Sequence, residues 1–375
     1  MKFAELPTPC FVIDEELLEK NLQILKSVKD RAGCKILLAQ KAFSAFAMYP
    51  LVSRYLDGAT ASGLYEARLG KEFFRGENHV FCAAYKDEEF DETASICGHV
   101  VFNSVGQLRR FKDRALAKGA QVGLRVNPQF STQQGHAIYD PCAEGSRLGV
   151  IAENLRAEDL RGVSGLHFHT LCQQNSGDLE KTLGAVVEKF GKYFPQIKWI
   201  NFGGGHHITR VGYDIERLVR CVKNIREKFN LEVYLEPGEA VALNAGFLKA
   251  RVLDIVSNKI KIALLDASAA CHMPDVLEMP YRPPLLNSGL PNEKPFNYRL
   301  AGATCLAGDV IGDYSFDKEL KIGDTLVFAD MAIYSMVKTN TFNGMPLPSI
   351  AVKKIGGGCQ IIKTFGYEDF KNRLS

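Results

Sequence analysis

HVVFNSVGQLRRFKDRALAKGAQVGLRVN (99–127) reads as one repeating unit. HVVFN (99–103) and QVGLRVN (121–127) are short runs of apolar and β-branched residues, the composition of strands. SVGQLRRFKDRALAKG (104–119) lies between them, with apolar residues at spacings of three and four and charges in between. That is the period of a helix with one buried face. Ser104 with Gln107 three residues on matches a capping box, a helix-start signal. Strand, helix and strand in succession predict parallel strands covered by helices.

The same beat extends in both directions. KILLAQK (35–41), GATAS (58–62), HVFCAA (79–84), VSGLHFH (163–169), WINFG (199–203) and EVYLE (232–236) bring the strands to eight. LYEARLGKEFF (64–74) and DIERLVRCVKNIREKFN (214–230) are further helices; in the second, Ile215, Leu218, Val222 and Ile225 share a stripe while Arg217, Arg220 and Lys223 face out. Eight strand–helix repeats predict an α/β fold, a (β/α)8 TIM-like barrel over residues 15–245. A doubly wound sheet is the competitor. Its glycine fingerprint follows the first strand, whereas GGGHH (203–207) follows the seventh. Beyond residue 245 the rhythm changes. FLKARVLDIVS, KIKIALLDAS, YRLAGATC, DTLVFAD and SIAVKKI are strand-like, with Pro and Gly punctuation and no long amphipathic helix. Residues 246–375 therefore predict a C-terminal antiparallel β domain, and CFVID (10–14), within residues 1–14, is a spare strand expected to join it.

Length and composition narrow the function classes. A chain of 375 residues predicts two or three domains at roughly 100–200 residues each. With 46% apolar and 24% charged residues, intrinsic disorder is excluded. A net charge of +3 without a sustained basic stripe speaks against a nucleic-acid partner. No apolar run reaches the about 18 residues that would cross a bilayer, so no membrane partner is expected. MKFAELPTPC lacks the apolar stretch of a signal peptide, and the ten scattered cysteines form no CxxC pair. Reduced thiols in a cytoplasmic protein are the expectation.

In such a barrel the chemistry sits at the C-terminal ends of the strands. Lys41, Ser62, Arg125, Asn127, His167, His169, the Gly203–Gly205 turn and Glu236 all fall there. Each alone has a plain structural reading: a solvated lysine, a core histidine, a simple turn, a loop carboxylate. Together at one mouth they fit a single chemistry. Glycine amides after the seventh strand can approach a phosphate closely. A lysine can form a Schiff base with an aldehyde. A carboxylate can keep a pyridine nitrogen protonated. Phosphate, aldehyde and pyridine together describe pyridoxal 5′-phosphate (PLP).

The residues resemble those of the fold-type III PLP-dependent decarboxylases, the alanine racemase-like barrel family. QKAFS (40–44), ATASGLYEA (59–67), GLRVNP (123–128), GSRLG (145–149), GLHFH (165–169), NFGGG (201–205), EPGEA (236–240), GATCLAGD (302–309), DMAIYSM and FNGMP (330–346) follow the family's order. Within the family, HTLCQQN (169–175), NFGGGHHIT (201–209) and CHMPDVLEMPYRP (271–283) look like the branch that decarboxylates carboxynorspermidine and carboxyspermidine. The general amino-acid decarboxylases differ there: Gly-Ser after the stacking histidine, arginine where Glu239 stands, and an acidic residue where Leu306 follows Cys305.

The resemblance implies catalytic roles for Lys41, the Schiff-base lysine, and Cys305, a proton donor supplied in trans. It therefore implies a homodimer with shared active sites. It places His169 on the ring face, Glu236 on the pyridine nitrogen, and Gly203, Gly204, Gly205 and Tyr334 around the phosphate. Racemases of this fold put arginine at the pyridine nitrogen, so Glu236 favours decarboxylation. Glu239, Asp275, Arg282 and Asp309 are candidate contacts for a polyamine-like substrate. Asp309 would take an ammonium and Arg282 the carboxylate, with Glu278 beside Asp275 in the same segment. Diaminopimelate, ornithine or arginine decarboxylation is the alternative, and a catalytically silent PLP-binding regulator is an alternative of another class. His206 and His207 are adjacent and lack a third ligand at a usual spacing, so no metal is assigned and a metal-dependent hydrolase is set aside.

Overall fold

The computed structural model describes residues 1–134 and 137–375, with Ala137 by its backbone alone. The first strand, β1 (Cys10–Asp14), leads into a helix over Glu15–Ala32. Eight strands then follow: β2 (Lys35–Ala39), β3 (Gly58–Ala61), β4 (Glu77–Phe81), β5 (His99–Phe102), β6 (Gln121–Arg125), β7 (Gly165–His167), β8 (Trp199–Asn201) and β9 (Glu232–Leu235). All neighbours pair in parallel, and β9 returns to β2, so the sheet closes into the expected barrel. The predicted strands run one to three residues too far at their C-terminal ends, because the chain leaves the ladder there to form the mouth.

Helices cover the strands as the periodicity requires. In the Ile215–Phe229 helix, Leu218, Val222 and Ile225 are buried, whereas Arg220 and Lys223 are exposed. Ser104 caps the Val105–Ala117 helix by accepting from the Gln107 amide at 3.1 Å. The Gln107 side chain accepts from the Asn103 amide, one residue before the cap. The alternation breaks between β6 and β7, where the described residues form only 3-10 turns at Ala137–Tyr139, Ala152–Asn154 and Ala157–Leu160.

The barrel interior is packed around Trp199, with Leu37, Val101, Tyr234 and Phe81 beside it. Two neighbouring strands make room for the indole with glycine. A Cβ on Gly165 would lie 2.0 Å from Trp199, and one on Gly123 2.4 Å from it. The indole N–H is satisfied by Gln121 Oε1 at 3.1 Å.

By contact density the chain divides into residues 19–241, which hold the barrel, and residues 1–18 with 242–375. The second unit is a sheet of eight strands. β1 is joined by β10 (Gly246–Asn258), β11 (Ile260–Leu265), β12 (Phe296–Ala301), β13 (Val310–Phe316), β14 (Thr325–Ala329), β15 (Ser349–Lys353) and β16 (Cys359–Lys363). The order is β13-β12-β11-β10-β1-β15-β16, and β14 also pairs with β10. The N-terminal strand joins this sheet, as expected. Pairing is mostly antiparallel, but β1–β15 and β11–β12 are parallel. Leu248, Ala250, Val252, Tyr298, Leu300, Ile311 and Phe328 form its core. Lys249 is buried on the opposite face of β10, beside Cys10 and Cys359, and donates to the carbonyls of Ala4 (2.8 Å) and Leu6 (2.6 Å), which ties down the N-terminal turn.

Candidate active site

At the C-terminal mouth of the barrel, a cavity of about 260 Å³ is lined by Lys41, Ser62, Phe81, Arg125, Arg147, His167, His169 and Glu236, among others. Lys41, His169 and Glu236, picked out from the sequence, are thus brought to one cavity by β2, β7 and β9.

Lys41 lies two residues past the end of β2, and its exposed side chain is exposed in the cavity it lines. Crowding by protein lowers its pKa, and the Arg125 charge adds to this against the opposing pull of Glu236 and Glu66. An amine shifted this way reaches its nucleophilic, uncharged form more readily.

Glu236 is buried, and its carboxylate is held at both oxygens. Asn201 Nδ2 donates to Oε1 at 2.8 Å, and His167 Nε2 lies 3.2 Å from Oε2. Burial alone would raise its pKa, but the His167 and Asn201 contacts outweigh burial and hold it below the usual carboxylate range. Burial also depresses His167, so the neutral imidazole donates its Nε2–H to an ionised Glu236. His167 Nδ1 is buried with no hydrogen-bond partner among the described residues.

His169 accepts a 3.0 Å hydrogen bond at Nδ1 from the Gly204 amide, which fixes its neutral tautomer with the proton on Nε2. Burial and then the charge of Lys41 lower its pKa well below the ordinary value. The glycine turn is dictated by sterics. Gly203 (φ +68°) and Gly205 (φ +82°) have left-handed backbones, and a Cβ on Gly205 would lie 1.9 Å from the Leu171 carbonyl oxygen. Two of the three amides are already engaged: Gly203 N–H donates to Asn201 Oδ1 at 2.8 Å, and Gly204 N–H to His169. The turn thus orients Asn201 and His169 as well as offering backbone to a ligand.

Two arginines complete the wall. Arg125 ends β6, lies over the Phe81 ring at 4.6 Å and donates to the His169 carbonyl at 3.2 Å. Burial lowers its pKa to about 10, which leaves it charged at neutral pH. The Arg147 loop is clamped by Asn103, which donates to the Arg147 carbonyl and accepts from the Gly149 amide, both at 2.8 Å. Arg147 and Glu66 were missed as individual residues, although GSRLG and ATASGLYEA contain them. Glu66 accepts from the Ser62 amide at 2.6 Å and bears on Lys41 electrostatically.

Glu239 lies outside the set that lines the cavity. Its Oε1 accepts from Gln173 Nε2 at 2.8 Å and is 3.2 Å from His207 Nε2. Residues that mark this branch in the sequence therefore meet one another.

The remaining candidates belong to the β unit. Cys305 is the one exposed residue among ten free cysteines, and its amide donates to Asn343 Oδ1 at 2.9 Å. Asp309 is 3% exposed, too buried to offer its carboxylate to solvent; it accepts from Ser268 Oγ (2.9 Å), Thr304 Oγ1 (2.7 Å) and the Ala270 amide (3.2 Å). That makes it an anchor of the Cys305 loop through Thr304. Asp275 and Glu278 both pair with Lys338. Arg282 lies over the Tyr314 ring at 4.7 Å and donates to the Gly289 carbonyl. Tyr334 is half-buried with a left-handed φ of 54°.

A closed barrel with a lysine, an imidazole and an ionised carboxylate at its C-terminal mouth, followed by a β domain, defines a barrel-type PLP enzyme. Residues 10–332 match the family model described as "Pyridoxal-dependent decarboxylase, C-terminal sheet domain", and the chain belongs to that family. It is 44% identical to the carboxynorspermidine/carboxyspermidine decarboxylase of Campylobacter jejuni, over 100% of both chains. It is 42% identical to the carboxyaminopropylagmatine decarboxylase of a Synechocystis species, over 100% of this chain and 97% of that one. The crystal structure of the carboxynorspermidine decarboxylase from Campylobacter jejuni complexed with norspermidine has a TM-score of 0.92 to it. That match is at 42% identity and covers 98% of this chain and 100% of that one.

The chain is a PLP-dependent decarboxylase, and its cavity fits that cofactor. It offers a lysine whose crowded amine is poised to be neutral, an ionised carboxylate, an imidazole fixed in one tautomer, and a buried imidazole nitrogen with no partner among the described residues.

Proposed function

We propose that this enzyme decarboxylates carboxynorspermidine to norspermidine, carboxyspermidine to spermidine, or both, in polyamine biosynthesis in the cytoplasm. The observation that carries the reading is the 44% identity over the full length of both chains to a relative of that name. When bound, PLP supplies an electron-withdrawing ring that takes up the electron pair left by departing CO2. Lys41 Nζ would hold the cofactor through its aldehyde. Glu236, oriented by Asn201 and His167, would hold a proton at the pyridine nitrogen. His169 would stack on the cofactor ring, and the Gly203–Gly205 turn and Tyr334 would hold its phosphate. Cys305 Sγ, from the second subunit of a homodimer, delivers the proton that replaces CO2. Asp309 positions the Cys305 loop. Glu239 orders the Gln173 and His207 side chains.

The 42% identity to the Synechocystis enzyme favours a second reading, carboxyaminopropylagmatine as substrate. It differs at the end of the chain remote from the bond that breaks. Chromatography of the products from PLP-loaded enzyme separates the readings. Norspermidine or spermidine as the main product supports the first, and aminopropylagmatine the second. Lysine from diaminopimelate, with no polyamine formed, refutes both.

A further inference from the structure

A second polar cluster lies at the opposite ends of the barrel strands. Glu77 and His79 on β4 and His99 on β5 bring one ligand atom each to within 4.8 Å of one another. His99 is only 5% exposed, yet neither ring nitrogen has a hydrogen-bond partner among the described residues. A buried polar group left without a partner is costly unless a water or an ion completes it. The His99 ring stacks on His79, with centroids 3.9 Å apart and 19° between planes. His79 Nε2 in turn lies 2.8 Å from Glu77 Oε2.

Charge points the same way. Lys35 Nζ contacts Glu77 Oε1 at 2.6 Å and Glu232 Oε1 at 3.0 Å, and Tyr234 O–H donates to Glu232 Oε2 at 2.8 Å. Two carboxylates thus face one ammonium, which leaves one carboxylate's charge for a cation to balance. Glu232 and Lys35 are 43% and 35% exposed, so the cluster has a route to solvent.

We propose that Glu77, His79 and His99 form a binding site for a divalent transition-metal ion of the zinc type, separate from the catalytic mouth. Two imidazoles and a carboxylate are a three-ligand set that zinc accepts, with water as the fourth ligand. The ion takes the place of the proton between Glu77 Oε2 and His79 Nε2. Lys35 stays on Glu77 Oε1 and orients that carboxylate, as an outer partner does. Metal–nitrogen bonds of about 2.0–2.1 Å require donors roughly 3.3 Å apart in a tetrahedron. Entry of the ion therefore rotates the His99 and His79 side chains and parts the stacked rings.

The test uses tag-free, PLP-loaded enzyme treated with a chelator, then titrated at pH 7.5 with Zn2+ by calorimetry and with Co2+ by visible absorbance. One equivalent per chain, a raised melting temperature and a d–d cobalt band are expected. His99→Asn and His79→Asn, checked for fold by circular dichroism, should each weaken binding at least ~10-fold. Absence of one-equivalent binding in the wild type overturns the proposal, whatever the variants do. So does undiminished affinity in the folded variants, or an anomalous-scattering peak for the ion anywhere other than between His79 and His99.

Discussion

Asn201 Nδ2 donates a 2.8 Å hydrogen bond to Glu236 Oε1, linking the last residue of β8 to the residue that follows β9. With His167 on the other oxygen, it keeps a buried carboxylate ionised. Asn201→Ala removes one stabiliser of the charged form, so the Glu236 pKa rises. In the proposed function Glu236 acts ionised, so the acid limb of the kcat/KM profile should move to higher pH. Glu236→Gln, which cannot hold the ring proton by charge, should lower kcat by about 100-fold or more. A pH–rate profile for the three proteins checks both statements.

The proposed function draws Lys41 and Cys305 from different subunits of a homodimer, which predicts complementation. Lys41→Ala should lose the absorbance of covalently bound cofactor and nearly all activity. Cys305→Ala should keep that absorbance and lose most turnover. Mixing the two inactive variants at equal concentration and allowing subunit exchange should recover about a quarter of wild-type activity, because half the dimers then carry one intact site of two. No recovery after demonstrated exchange would place Cys305 in its own subunit's site or outside catalysis.

His272 makes the β unit sensitive to acid. It is fully buried, accepts from the Ser268 amide at Nδ1 and donates from Nε2 to the Pro346 carbonyl at 3.1 Å. Burial pushes its pKa down to about 4, against weaker opposing contributions from Pro346 and Asp309. A folded pKa below the unfolded one contributes stability above the unfolded value and loses it as pH falls. Stability should therefore decline from about pH 6.5 towards 4, by roughly 2 kcal/mol at pH 5 from this group alone. Urea midpoints for wild type and His272→Gln across that range should converge as pH falls.

Lys249 predicts a defect of a different kind. Lys249→Met keeps the stem but leaves the Ala4 and Leu6 carbonyls without their charged donor. A loss of about 2 kcal/mol or more is expected from charge-assisted hydrogen bonds in a buried setting. The urea midpoint should drop while kcat per folded enzyme stays near wild type.

The barrel was legible because its strands are short apolar runs and its helices carry a strict apolar period, as in HVVFN and the Ile215–Phe229 helix. Lys41, His169 and Glu236 followed from their places at strand ends. β13 and β16 escaped notice because half-polar runs such as VIGDYSF and CQIIK carry no clean alternation. Arg147 lies in a loop held by long-range hydrogen bonds, among them those Asn103 makes 44 and 46 residues along the chain. The burial of Asp309 depends on Ser268, 41 residues away. The Glu77–His79–His99 cluster depends on the register between β4 and β5, in which His79 pairs with His99. Such long-range pairings leave no periodic trace in the sequence.

The central claim is tested most directly by kcat/KM of the PLP-loaded enzyme for carboxynorspermidine and carboxyspermidine, measured beside diaminopimelate, ornithine and arginine. The expected result is a preference of about 100-fold or more for a carboxylated polyamine, the scale at which a site built for one hydrogen-bonding pattern rejects another. Equal or greater efficiency on diaminopimelate, ornithine or arginine would contradict it.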